Sequence, residues 1–149
     1  MKHDRIMAGA IAGCIGTAAQ NIYGQTAKAL GITDRAFLDF ARIILFHKSY
    51  GGVFGFIAGF IAHLTFGMLS GALFAYVIRK SSSTHLYFKG SVMGAAIWFF
   101  SLGIGTLYNL PMFVDIPPIP ALSIFVGALI WGLVTAFSLK ILEKKTNLI

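Results

Sequence analysis

The sequence predicts an all-α integral membrane protein, with four transmembrane helices and a short interfacial amphipathic helix between the first and the second. Three observations carry this expectation. Hydrophobic residues make up 57% of the 149 residues and charged residues 11%, about half the charged share of a soluble domain. Four apolar runs each approach the length needed to cross the roughly 30 Å hydrocarbon core at about 1.5 Å of rise per residue. The basic residues sit at the ends of those runs, where anionic headgroups attract them. A net charge of +7 could point to nucleic acid, but a nucleic-acid surface gathers its cations on one face. The expected partners are therefore the lipid bilayer and other membrane helices, with no nucleic acid. A chain of this length is one domain, residues 1–149.

The first span runs over 6–30, with its strongest apolar stretch from Ile6 to Tyr23. Ile11-Ala12-Gly13-Cys14 has the outline of a lipoprotein cleavage box, preceded by basic residues. The apolar run continues past Cys14, which favours a small packing residue instead. As the single cysteine, it excludes an internal disulfide and a cysteine-based metal cluster.

The segment TDRAFLDFARIILFHKSYGG follows. Thr33 or Asp34 can cap a helix over 34–48, in which Phe37, Leu38, Ala41, Ile44 and Leu45 keep helical spacing. Arg35, Asp39 and Arg42 share the opposite face, the acid lying within i+4 and i+3 of two bases. Too short and too charged to cross, this helix is expected to lie in the interface.

The remaining spans are 53–78, 91–110 and 121–139. The second, about 39 Å long, must tilt or project. The loop NLPMFVDIPPIPAL, with Pro111, Pro117, Pro118 and Pro120, is expected to be stiff and extended. Tyr23, Tyr50, Tyr76, Tyr87 and Tyr108 all fall near helix ends, where amphipathic rings prefer to sit. Placing both termini inside gives eight basic residues (Lys2, Arg5, Arg79, Lys80, Lys89, Lys140, Lys144, Lys145) against four (Lys28, Arg35, Arg42, Lys48). The charge rule then puts both termini on the cytoplasmic side of the cell membrane.

Small residues matter because they let helix backbones approach closely in lipid. In GGVFGFIAGFIAHLTFGMLSGALFA, residues 51–75, a small residue recurs every fourth position: Gly51, Gly55, Gly59, Gly67, Gly71 and Ala75. Each four-residue step overshoots one turn by about 40°, so the stripe winds through about 240°. Either several helices share it, or a second copy of the chain takes part of it.

His63 interrupts the stripe. Ten residues from the outer end of its helix, it lies about 15 Å deep, close to the midplane. Gln20 and Asn21 on the first span, Ser101 on the third and Trp131 on the fourth fall at similar depth. Unpaired polar groups in hydrocarbon are costly, which predicts a buried polar layer of Gln20, Asn21, His63, Ser101 and Trp131. Such a layer fixes helix register, or it carries protons or a ligand through His63. His3, His47 and His85 fall at membrane ends and cannot join His63 across one haem. No acid lies inside a span, so a carboxylate-driven antiporter and paired-carboxylate hydrolysis are excluded; Ser101 and His63 without an acid make a poor hydrolase triad. No cofactor and no catalytic role are expected.

The segments GITDRAFLDFAR, AHLTFGMLSGALFAY and LYFKGSVMGAAIW resemble those of uncharacterised small four-helix membrane proteins of spore-forming bacteria. The resemblance implies the four-helix membrane fold and brings no activity or site. Small multidrug exporters and fluoride channels also have four helices, but this chain lacks the intramembrane glutamate of the former and a filter motif of the latter. The functional expectation is a non-enzymatic membrane protein that packs through glycine-rich helix faces, as a homo-oligomer or as a small subunit of a larger complex. The alternative is a small transporter or channel whose pathway passes His63.

Overall fold

The computed structural model describes residues 4–48, 50–81 and 84–145, and its described residues form five helices. These are α1 (Arg5–Ala29), α2 (Phe37–Phe46), α3 (Gly52–Ser81), α4 (Leu86–Leu107) and α5 (Pro118–Lys145). Lys2 and His3 lie outside the described residues.

Among the described residues three helices, not four, are long and apolar enough to cross a membrane: Gly52–Ile78 in α3, Leu86–Leu107 in α4 and Pro118–Leu142 in α5. This makes the chain a helical membrane protein and corrects the expected count of four spans. The helix that falls short is α1. It has the length, but its apolar content is mostly alanine and glycine, interrupted by Thr17, Gln20, Asn21, Gln25 and Thr26.

The order of packing explains that composition. α1 lies between α3 and α5, and α4 packs on the far side of α5; α3 and α4 scarcely touch. Of α1, Ala8, Gly9, Ala12, Gly13, Gly16, Thr17, Gln20 and Asn21 are all buried. Glycine contacts fix the directions. Gly9 meets Gly71 and Gly13 meets Gly67, so α1 and α3 are antiparallel; Gly90 meets Gly132 and Gly94 meets Ala128, so α4 and α5 are antiparallel too. One end of the bundle gathers Ala8 and Ala12 of α1, Phe74 and Ile78 of α3, Leu86 of α4 and Ala136 and Leu139 of α5. The start of α1 and the end of α5 therefore share one end.

The interfacial helix also needs correction. α2 is shorter than 34–48, and it is wedged into the opposite end rather than resting on a surface. Phe37, Phe40 and Ile43 pack with Phe113, Ile124 and Ala128, and the Phe40 and Phe113 rings lie 4.3 Å apart between centroids. Its cap is not Thr33 or Asp34. The N-cap is Ala36, whose backbone N–H donates to Asp39 Oδ2 (2.9 Å).

Element ends follow local chemistry. Gly31, at φ 72°, closes α1: its N–H donates to Lys28 O and that of Ile32 to Ala27 O, both at 3.0 Å. This is the glycine-terminated helix end that satisfies the last carbonyls. α4 starts five residues before the expected 91 and stops at Leu107. α5 begins at Pro118 and takes in Pro120, because a first-turn N–H has no helical acceptor and its loss costs nothing. The stiff loop is therefore shorter than the prolines suggest. Tyr50, Tyr76, Tyr87 and Tyr108 are exposed near helix ends, whereas Tyr23 turns inward, its hydroxyl 3.3 Å from Ser123 Oγ.

Candidate functional site

The middle of the bundle is organised around one face of α1. Thr17, Gln20 and Asn21, three and four residues apart, lie within a turn of one another and are all buried. His63 of α3 donates from Nδ1 to Asn21 Oδ1 at 2.8 Å, since an amide oxygen only accepts. Phe37 of α2 stacks on the imidazole, with 5.9 Å between centroids and 17° between planes. From α5, Trp131 Nε1 donates to Thr17 Oγ1 at 3.1 Å, and that hydroxyl donates to Gly13 O at 2.9 Å. An indole at mid-depth thus finds the acceptor it needs.

Of the five residues expected in a polar layer, the structure brings Gln20, Asn21, His63 and Trp131 together. A cavity of about 10 Å³, room for about one water, is lined by Gln20, His63 and Trp131 and also by Thr17, Phe37 and Gly94. Ser101 stands apart. Because Gly94 is level with Ala128, Ser101 lies seven residues, about 10 Å, further toward the end of α4. The register shift of α4 is the reason.

Thr17 is the member that spacing arguments miss. Threonine in an apolar helix reads as a small filler, and only its position one turn before Gln20 and Asn21 signals more. Asn21 Nδ2, Gln25 Nε2 and Thr135 Oγ1 are buried without a hydrogen-bond partner among the described residues. The layer contains no acid, so no acid–base–nucleophile relay can be assembled from it. Among the described residues no group of three His, Cys, Asp or Glu side chains could hold a metal ion.

The α3 stripe is divided among several parts of the same chain. A Cβ added at Gly67 would lie 1.7 Å from Thr17 Oγ1, and one at Gly71 would lie 2.3 Å from Gly9 O. At Gly59 it would meet the Arg42 side chain of α2 at 2.2 Å, and at Gly55 the Tyr50 carbonyl at 2.4 Å. Ala75 is buried against Gly9. Gly51 has open space around it. Among the described residues, the first end of the stripe is left unpartnered.

A second polar cluster sits where α2 joins the bundle. Asp39, 2% exposed, accepts from Lys28 Nζ of α1 at 2.6 Å and forms an ion pair with Arg42. The polar face expected to share Arg35, Asp39 and Arg42 is therefore split, with Asp39 and Arg42 folded inward and Arg35 ahead of the helix. Arg35 instead holds Asp34, at 2.7 Å, and donates to Met112 O at 2.8 Å. The guanidinium's hydrogen bonds hold the Asp34 carboxyl below its ordinary value, and Asp34 in turn raises Arg35.

No protein family, curated protein or solved structure matches the chain.

Proposed function

We propose that the chain is a non-enzymatic membrane protein that works as a structural component of an assembly, either a homo-oligomer or a larger membrane complex. One observation carries the reading. The spanning windows of α3 and α4 are only 22% and 17% buried within the chain, against 56% for α5. Two apolar helices, each packed mainly against one other helix, thus keep most of their surface for lipid or for other helices, while the polar layer faces inward. The close glycine contacts between α1 and α3 and between α4 and α5 support a bundle held by backbone approach, as membrane helices commonly are. Because the α3 stripe is used inside the chain, the assembly contact falls on the outer faces of α3 and α4. Phe99, Phe100, Ile104 and Leu107 are exposed there, and Gly103 has open space around it.

Seven of the described basic residues lie in the segments at the end where α1 starts and α5 finishes, which favours a cytoplasmic location for that end in a cell membrane. The test of assembly is the mass of the complex after native extraction in mild detergent. A multiple of 16.1 kDa, or that mass bound to another polypeptide, is expected. Gly103→Trp should then reduce the assembly without unfolding the chain.

A pathway for protons or small solutes past His63 is favoured by the cavity beside it. Its test is flux into proteoliposomes that His63→Ala abolishes. The cavity's size, the Asn21 bond and the Phe37 stack all favour a register lock over that pathway.

A further inference from the structure

The two ends of the bundle carry different charge. At the end where α1 begins and α5 finishes stand Arg5 on α1, Arg79 and Lys80 on α3, Lys89 on α4, and Lys140, Lys144 and Lys145 on α5, with Asp4 and Glu143 as the acids. Along the described chain that is seven basic and two acidic residues, net +5. The opposite end holds Lys28, Arg35, Arg42 and Lys48 with Asp34, Asp39 and Asp115, net +1. Lys2, outside the described residues, completes the total of +7.

The ends also differ in how the charge is used. At the +1 end the cations are held by acids, in the ion pairs Lys28–Asp39, Arg35–Asp34 and Arg42–Asp39. At the +5 end, Asp4 is engaged in capping α1, its Oδ1 accepting from Met7 N at 3.0 Å. Two of the cations there lie over tyrosine rings. Lys80 Nζ sits 5.7 Å from the centroid of Tyr76 and Lys140 Nζ 5.3 Å from that of Tyr87. Lys89 Nζ donates to Ser81 Oγ at 3.2 Å. A tyrosine ring orients an ammonium without neutralising it, and exposed tyrosines at the ends of spans mark headgroup depth.

We propose that this end is a docking surface for anionic phospholipid headgroups, with Lys80 and Lys140 as its tyrosine-supported contacts. The occupant is a lipid rather than a soluble anion because the cations crown the ends of three helices long and apolar enough to cross a membrane. The proposal rests on the membrane reading given above. Each cation near an anionic leaflet strengthens association by about fivefold, and salt screens the effect.

The full chain would be reconstituted into vesicles of equal phosphatidylglycerol and phosphatidylcholine. Spin-labelled versions of each lipid would then measure the relative association constant at the protein surface. A several-fold preference for phosphatidylglycerol that shrinks in high salt is expected. The double variant Lys80→Gln/Lys140→Gln should lose most of it, and Lys48→Gln, at the other end, should keep it. Both sets of side chains are exposed, so the fold is not at stake. Insertion with equal association of the two lipids would overturn the headgroup surface alone, as would a preference unchanged in the double variant. Recovery of the chain in the aqueous fraction would overturn the membrane reading and this surface with it.

Discussion

α1 and α4 begin alike and end up in opposite surroundings. Each opens with two glycines four apart, Gly9 and Gly13 or Gly90 and Gly94, set against small residues of an antiparallel partner. α1 has protein on two sides, whereas α4 packs mainly on α5. α4 accordingly presents Phe88, Val92, Phe99, Phe100 and Ile104 outward, and α1 carries the threonine and amides of the central layer. Apolarity along each of these helices follows how much of it the rest of the chain leaves exposed. A helix shielded on two sides can be built from Ala, Gly, Thr, Gln and Asn.

The largest expected effects test the shielding of α1. A Cβ at Gly13 would lie 2.1 Å from the Gly67 carbonyl, backbone that cannot step aside, whereas Gly103 on α4 has nothing within 4 Å. Gly13→Ala should cost about 1–3 kcal/mol of stability in detergent through overpacking, and Gly13→Leu should leave no folded protein. Gly103→Ala should stay within about 0.5 kcal/mol of wild type. Thermal melts of the variants side by side would check this, and equal effects at Gly13 and Gly103 would erase the contrast between the helices.

Next comes the Asn21–His63 bond. Asn21→Ala leaves the imidazole N–H buried and unpaired, a loss of about 1–3 kcal/mol. A double-mutant cycle with His63→Ala should show the two losses to be non-additive. Trp131→Phe removes one donor to Thr17 and should cost about 1 kcal/mol; a larger loss would mean that the indole's packing matters more than its N–H.

Much of this inner face was legible in the sequence. His63, Asn21, Gln20 and Trp131 stood out because polar groups at mid-depth have to turn toward one another. Thr17 was hidden by its small size, and Ser101 was misplaced because α4 starts early, at Leu86. The span count failed at α1 because alanine and glycine lengthen an apolar run without making it strongly apolar. Asp39 read as a surface charge because periodicity cannot show that Lys28, eleven residues earlier, folds back onto it.

The smallest expected effect lies at α2, outside the spans. Asp34 has its folded pKa below the ordinary 3.8, so its pairing with Arg35 stabilises the fold above that value. The contribution disappears as pH falls through the depressed folded value. Both partners keep some solvent contact, so the effect is small. Asp34→Asn should flatten the acid limb of the stability profile below about pH 4 and leave neutral stability nearly unchanged.

The central claim is that α3 and α4 keep their outer faces for assembly within the membrane, and native mass spectrometry of the gently extracted protein tests it most directly. A mass of two or more 16.1 kDa chains, or of one chain with a different polypeptide, is the expected result. A lone chain carrying only lipid, at every protein concentration and in every mild detergent tried, would contradict it.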